Sequence, residues 1–352
     1  MKRESNLFER ICNIQNLHES YYKASKGKRQ SAEYLNFRQN AEKKLEELRQ
    51  DLLQGNYTAG AYRQFTIIDP KERIISAAPF KDRIVHHAII NVLEPVFERQ
   101  FIYHTYACRK GKGTHAAARY AFKCAERSTY FLKLDVRKYF DSIDHTVLKS
   151  LLCRIIKDTR CLELLFSVID SYVSCHAAPD SASRGLPIGN LTSQFFANLY
   201  LSPLDHFVLE QLKPKGYVRY MDDMVIFSDS LVELKGAFMA VRLFCCEKLN
   251  LLLKEPVFGK TLHGVPFLGW RITSKGIFLL GKTKRRMKSK LHEIQKDYKD
   301  GKISEDKMCE RTLAVFAVRN LDLSIENVEE RPKQTHPRRQ PIGMTKTPSG
   351  LR

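Results

Sequence analysis

Tyr217-Val218-Arg219-Tyr220-Met221-Asp222-Asp223-Met224-Val225-Ile226-Phe227 sets two adjacent carboxylates between two short apolar runs. Strand-forming residues on both sides of a polar pair read as a β-hairpin with the acids at its turn. Neighbouring carboxylates repel unless a cation lies against them, and a divalent metal is the usual one. The stretch therefore points to a magnesium site, against the blander reading of an acidic surface turn, where Asp is common. Upstream, Tyr130-Phe131-Leu132-Lys133-Leu134-Asp135-Val136 reads as a buried strand ending at an acid. An Asp there, beside the hairpin pair, would let the carboxylates share two metal ions. One would activate a hydroxyl and the other steady a leaving pyrophosphate, which is the chemistry of nucleotidyl transfer. Asp135, Asp222 and Asp223 are thus the candidate metal ligands and catalytic residues.

The order and spacing of three blocks are specific. Asp135 is followed by Tyr139-Phe140, then by Gly185-Leu186-Pro187-Ile188-Gly189-Asn190-Leu191-Thr192-Ser193-Gln194, then by Tyr220-Met221-Asp222-Asp223. This arrangement resembles the reverse transcriptases. Most of them carry Gln-Gly and Ser-Pro where this chain has Ile188-Gly189 and Ser193-Gln194, and the variant resembles the enzymes of diversity-generating retroelements. Arg73 to Phe80, Asp82 to Ala88 and Tyr106 to His115 agree with that family, and the similarity runs from about Ile11 to the early three-hundreds.

The resemblance implies a right-hand polymerase of fingers, palm and thumb, in an α+β fold. It implies an RNA-directed DNA polymerase that uses two magnesium ions and deoxynucleoside triphosphates and copies a template RNA into adenine-mutagenised cDNA. Expected partners are the template RNA, the RNA/DNA hybrid and a small basic accessory variability protein. By the same resemblance the Val136 carbonyl joins the metal ligands, and Phe140 lies beneath the incoming sugar and excludes a ribose 2′-hydroxyl. Arg73 and Lys71 clamp the triphosphate, and Ile188, Gly189 and Gln194 border the nascent base pair. Gly264 to Ile272, with Gly269 and Trp270, resembles the primer grip, and Lys254 stands where a general acid for pyrophosphate can lie. Arg109, Lys110 and Lys112, set among glycines, are expected to meet the template strand, although backbone amides near a phosphate make a weak motif. Ile188 offers only apolar surface where Gln would hydrogen-bond, so discrimination is expected to loosen.

Some residues read more simply. Asp141 and Asp144 lie near a helix start, where capping outweighs chemistry. Tyr139 is expected in the core. His86 and His87 point about 100° apart on a helix and make a poor chelate, and with His115 they are read as structural.

Composition agrees with a nucleic-acid partner. Lys+Arg 59 against Asp+Glu 39 gives a net charge of +20, more than solubility needs and suited to a polyanion. A hydrophobic content of 43% over 352 residues excludes general disorder. No stretch approaches a membrane-spanning length and the N-terminus lacks a signal-peptide core, so no membrane partner and a cytoplasmic location are expected. The 9 cysteines are scattered without metal or redox spacing, and Cys245 and Cys246 read as reduced core residues.

Along the chain, residues 1–60 read as a helical lead-in to fingers at 61–128, in which strands near Gln64 to Ile68 and Arg73 to Ser76 join through Asp69-Pro70-Lys71-Glu72. A helix from Asp82 to about Phe97 follows. The palm is expected over 129–280, with a fingers-side helical segment at about 150–184, a helix from Leu191 through Phe207, and helices on one face of an antiparallel sheet. A short helical thumb spans 281–326, and the basic, polar stretch 327–352 favours disorder. The alternatives are a group II intron- or retron-type reverse transcriptase and, in another class, a non-catalytic RNA-binding scaffold with a polymerase-like palm. The brevity of the chain after the thumb argues against the intron type, and the intact acids argue against the scaffold.

Overall fold

The acidic turn joins two strands of a four-stranded antiparallel sheet in the computed structural model of the chain, which describes residues 3–68, 72–174 and 183–317. The chain opens with helices α1 (Leu7–Ile11), α2 (Ile14–Ser25), α3 (Ala32–Gln39) and α4 (Ala41–Gln54), and then the hairpin of β1 (Arg63–Ile68) and β2 (Glu72–Ala77). α5 (Phe80–Glu98) and α6 (Thr114–Glu126) lead to β3 (Tyr130–Leu134), followed by α7 (Tyr139–Ser142), α8 (His145–Ile155) and α9 (Thr159–Asp170). After α10 (Leu191–Tyr200) and α11 (Ser202–Phe207) come β4 (Gly216–Tyr220), β5 (Asp223–Ser228), α12 (Leu231–Leu249) and β6 (Val257–Lys260). A small sheet of β7 (Val265–Phe267), β8 (Trp270–Thr273) and β9 (Gly276–Leu279) precedes the basic helices α13 (Gly281–Lys299) and α14 (Glu305–Ala317).

The main sheet has the order β4-β5-β3-β6. Period-2 alternation sends its two sets of side chains into different cores. Leu132, Leu134, Met224 and Ile226 pack with α5, α8, α10 and α12. Phe131, Val218, Val225 and Phe227 pack with the alanines of α6 and with Phe267 and Trp270 of the small sheet. Each such buried aromatic or branched side chain contributes about 1.5–3 kcal/mol by leaving water. The helical layer expected on one face is therefore present, and the second face is covered as well, by α6 and β7–β9.

Local chemistry explains the element ends. Asp144 caps α8 by accepting from Thr146 N at 2.9 Å and Val147 N at 3.2 Å, as its position in the sequence suggests. Ser230 caps α12 through Glu233 N at 3.3 Å. The single helix expected from Leu191 through Phe207 is interrupted at Leu201, because Pro203 lacks an N–H and its ring collides with the preceding turn. Asp69, Pro70 and Lys71, assigned to the β1–β2 turn, lie outside the described residues, as does the tail at 327–352. Cys246 corrects its sequence reading: Cys245 is buried in the core, whereas Cys246 is exposed on the outer side of α12. Every described cysteine is free, and among the described residues no helix is long and apolar enough to cross a membrane.

Candidate active site

Tyr220 pairs with Asp223 across the β4–β5 ladder, leaving Met221 and Asp222 as a two-residue loop. Met221 has φ 55°, whereas Asp222 is not among the residues with positive φ. Hairpin loops of this kind usually place glycine at the first position, so methionine there carries roughly 1–2 kcal/mol of backbone strain. A buried cation holds it in place. The Arg219 guanidinium, fully buried, donates to Met221 O at 2.9 Å and to Asn198 Oδ1 at 3.2 Å. Asp205 on α11 meets Arg219 with both oxygens, Nε to Oδ1 at 2.7 Å and Nη2 to Oδ2 at 2.5 Å. Tyr217 and Thr105 donate to the same carboxylate at 2.8 Å and 3.1 Å. Sequence reading missed Arg219, Asp205 and Asn198. The available signal was a lone arginine among the apolar residues of a buried strand, which requires a buried partner.

The pairing of Leu134 with Met224 sets the end of β3 beside the start of β5, and so brings Asp135 to the hairpin acids. Asp135 Oδ2 accepts from Lys254 Nζ at 2.7 Å, and Asp223 Oδ2 from Lys133 Nζ at 3.0 Å. The second oxygens differ. Asp135 Oδ1 and Asp223 Oδ1 are both buried and have no hydrogen-bond partner. Burial first, and then the charge of Asp135, pushes the Asp222 carboxyl up to about 6. Burial also raises Asp223 to about 6, against the pull of Lys133. Val136 is wholly buried and bridges Leu253. Its neighbours make the flanking bonds, Arg137 N to Leu252 O and Lys254 N to Asp135 O, both 2.8 Å. Backbone alternation therefore turns the Val136 carbonyl the other way, toward the β5 side of β3. Among the described residues no three His, Cys, Asp or Glu side chains are gathered as a ready-made metal cage. Asp135 and Asp223 each hold a lysine, which relieves part of the mutual repulsion of the acids.

Some of the residues expected around a nucleotide meet one another at the β1–β2 hairpin. On the β1–β2 hairpin the pairs Phe65 with Ile75 and Ile67 with Arg73 share a face. That face meets Gly189: a Cβ at Gly189, φ +114°, would lie 2.9 Å from Ile75 Cγ2. Ser76 N donates to Ile188 O at 3.0 Å, joining the hairpin to the Ile188-Gly189 step. Arg73 is exposed on this hairpin, and Lys71 lies outside the described residues. Gln194 on α10 accepts from Cys108 Sγ at 3.4 Å. Phe140 is half-buried, edge-on to Tyr139 at 5.8 Å, and its carbonyl accepts from Leu186 N at 2.8 Å. Tyr139 is buried, as expected of a core residue.

Two nucleic-acid expectations do not match the placement of the side chains. Arg109 is turned inward with its side chain 8% exposed, bound to Glu98 at 2.8 Å and to the carbonyls of Ile102 and Thr105, both at 2.7 Å. It ties its own loop together, so of that group only Lys110 is fully exposed. Lys110 is exposed beside Glu94, and Lys112 lies over the Tyr103 ring, 3.3 Å from its centroid. Trp270 is likewise core, 3% exposed and packed edge-on against His115 at 5.7 Å. Gly269 forms the β7–β8 turn, where Leu268 and Gly269 both have positive φ. His86 is buried and its burial pushes the imidazole down to about 3, in keeping with its structural reading. Asp141 accepts from Ser174 Oγ at 3.0 Å.

The chain is similar to several known proteins. Protein YkfC of Escherichia coli (strain K12) is 29% identical over 275 residues, covering 66% of this chain and 71% of that protein. The group II intron-encoded protein LtrA of Lactococcus lactis subsp. cremoris is 28% identical over 178 residues, half of this chain. The match spans only 30% of LtrA. Among solved structures, telomerase from Candida Tropicalis in complex with a fragment of telomeric RNA covers 78% of this chain and 56% of that one, at 12% identity and a TM-score of 0.47. Residues 69–271, which contain the hairpin acids, Asp135 and the Ile188-Gly189 step, match the reverse transcriptase (RNA-dependent DNA polymerase) family. By that match, and by its homology to group II intron-encoded reverse transcriptases, the chain belongs to the reverse transcriptase family.

Proposed function

We propose that the chain is an RNA-directed DNA polymerase with its centre at Asp135, Asp222 and Asp223. The observation that carries this reading is the pair of buried, unpartnered carboxylate oxygens, Asp135 Oδ1 and Asp223 Oδ1, beside a third acid on the strained turn. Buried anionic oxygens without donors are unfavourable unless a cation meets them, so the residues fit a divalent metal. Asp135, Asp222, Asp223 and the Val136 carbonyl would hold magnesium. When bound, two such ions would supply Lewis acidity toward a primer 3′-hydroxyl and a leaving pyrophosphate. The chain's own residues do the rest. Arg73 offers a planar fork to triphosphate oxygens, with Lys71 in the same segment. Phe140 bounds the sugar and favours deoxynucleotides, and Gly189, Ile188 and Gln194 border the base pair. Lys254, which donates to Asp135, would give a proton to the departing pyrophosphate. In this reading α1–α4 lead into fingers at 61–128, the palm spans 129–280, and α13 and α14 belong to the thumb.

Within that activity, the Ile188-Gly189 and Ser193-Gln194 variants favour the error-prone enzyme of a diversity-generating retroelement. Such an enzyme works on a template RNA with an accessory variability protein, in the cytoplasm. The similarity to LtrA favours an intron-type enzyme as the second reading. Primer extension by the purified chain on an RNA template, followed by sequencing of the product, tests both. DNA synthesis that needs magnesium is expected, and Asp222→Asn should reduce it by several orders of magnitude while RNA binding persists. Errors concentrated at template adenines support the retroelement reading, and an even spectrum opposes it. Full extension by Asp222→Asn would overturn the assignment of the centre.

A further inference from the structure

Lys133 stands two residues before Asp135 on the central strand, where a buried apolar residue would be the ordinary choice. Its neighbours Leu132 and Leu134 point into the core shared with α10 and α12, while Lys133 shares the opposite face with Phe131. On that face its ammonium has two acceptors, on different sheets. Asp223 Oδ2 lies at 3.0 Å, and the carbonyl of Pro266 in β7 at 2.8 Å. β7 is an edge strand, so a carbonyl on its outer side has no strand to receive it. The Lys133 side chain is 21% exposed, enough enclosure to make both contacts count. It engages one oxygen of Asp223 and leaves the other, Oδ1, buried without a hydrogen-bond partner.

We infer that Lys133 is a positioning residue that fixes the spacing between the Asp223 carboxylate and the β7–β8 hairpin, and so aligns the growing strand's 3′ end with the acids. This rests on the reading of those acids as the polymerase centre and of β7–β8 as the hairpin that holds the product strand. A lysine is suited to the task. It has three donors and a full charge on one nitrogen at the end of a long stem, so it bridges a carboxylate and a carbonyl at once. The alternative is that Lys133 only balances the charge of Asp223. The two make different predictions about the metal. A brace governs the rate at saturating metal, whereas a counter-charge competes with the metal and governs its midpoint.

The test uses the full chain with a DNA primer annealed to an RNA template, in single-nucleotide incorporation over a magnesium titration. Lys133→Met should lower the rate at saturating nucleotide and magnesium by about 10- to 100-fold, the scale of an ångström's misplacement of a reacting group. Primer–template affinity should change by less than about threefold, since the phosphate contacts that dominate it remain. Lys133→Arg keeps two separate donors and should recover most of the rate. A normal saturated rate in Lys133→Met, or one that differs only by a lower magnesium midpoint, would overturn the inference. If Lys133→Met does not fold, as judged by circular dichroism, the neutral and shorter Lys133→Gln takes its place in the magnesium titration, with the same two outcomes. For Lys133→Arg, whose fork still spans both acceptors, a loss larger than about fivefold with intact folding contradicts the brace. Asp223→Asn serves as the control on the underlying reading. If that variant is fully active the centre is misassigned, whatever Lys133 does.

Discussion

Arg219 and Asp205 form a fully buried ion pair, Nη2 to Oδ2 at 2.5 Å, and the same guanidinium holds the carbonyl of Met221 at the strained acidic turn. A pair of this kind adds little net stability, because taking two charges out of water offsets their attraction. Its value lies in geometry. The turn carrying Asp222 is anchored by Arg219 to α11, and through Asn198 to α10, so the position of the hairpin acids depends on residues that never approach the centre.

Breaking one side of that pair leaves an unpaired buried charge. Asp205→Ala is expected to destabilise the chain by about 3–5 kcal/mol in urea unfolding, and the double variant Asp205→Leu, Arg219→Met by distinctly less. A loss in the double variant equal to the sum of the losses from Asp205→Leu and Arg219→Met taken singly would mean that the pair is not coupled.

Acid should weaken the fold through His86. Its folded value of about 3 lies below the ordinary 6.5, because burial penalises the charged ring. A depressed histidine contributes its full stability above pH 6.5, and that contribution is lost as pH falls toward about 3. Urea unfolding of the parent and of His86→Phe at pH 7.5, 6 and 5 checks this. The parent should lose more stability than the variant over that interval, by on the order of 1–2 kcal/mol at pH 5. Parallel losses would assign the acid sensitivity elsewhere.

Phe140 tests the sugar boundary. Phe140→Val should admit ribonucleotides, because removing the ring opens space for a 2′-hydroxyl, and the expected gain is about tenfold or more in relative incorporation. The measurement is competition between deoxy- and ribonucleoside triphosphates on one template. A variant that makes DNA normally and rejects ribonucleotides as strongly as the parent would locate the boundary elsewhere.

Ile188 tests fidelity. Its carbonyl is held by Ser76 N of the β1–β2 hairpin, so the backbone is fixed while the side chain presents apolar surface. A hydrogen-bonding residue there should sharpen discrimination, and about 1.4 kcal/mol is worth tenfold. Ile188→Gln is expected to lower misincorporation at template adenines, read by sequencing cDNA made with template RNA and accessory protein present. An unchanged adenine spectrum from an active variant would place the infidelity in other residues or in the partner.

What the sequence determined by itself is local. Apolar runs around Met221 and Asp222 define a hairpin and its turn, the run before Asp135 defines a buried strand, and Asp144 precedes α8 as its cap. These follow from alternation and capping, which act between residues a few positions apart. What only the tertiary structure decided is which polar side chains find partners far away. Lys133 meets Pro266, Arg219 meets Asp205, and Arg109 turns in to Glu98 while Lys110 stays out and Lys112 folds over Tyr103. Trp270, placed by its motif on a nucleic-acid surface, is instead enclosed by α6 and the small sheet. The physical reason is that a motif fixes where a residue stands on its strand, whereas the direction and partners of a long or aromatic side chain depend on how the layers pack over it.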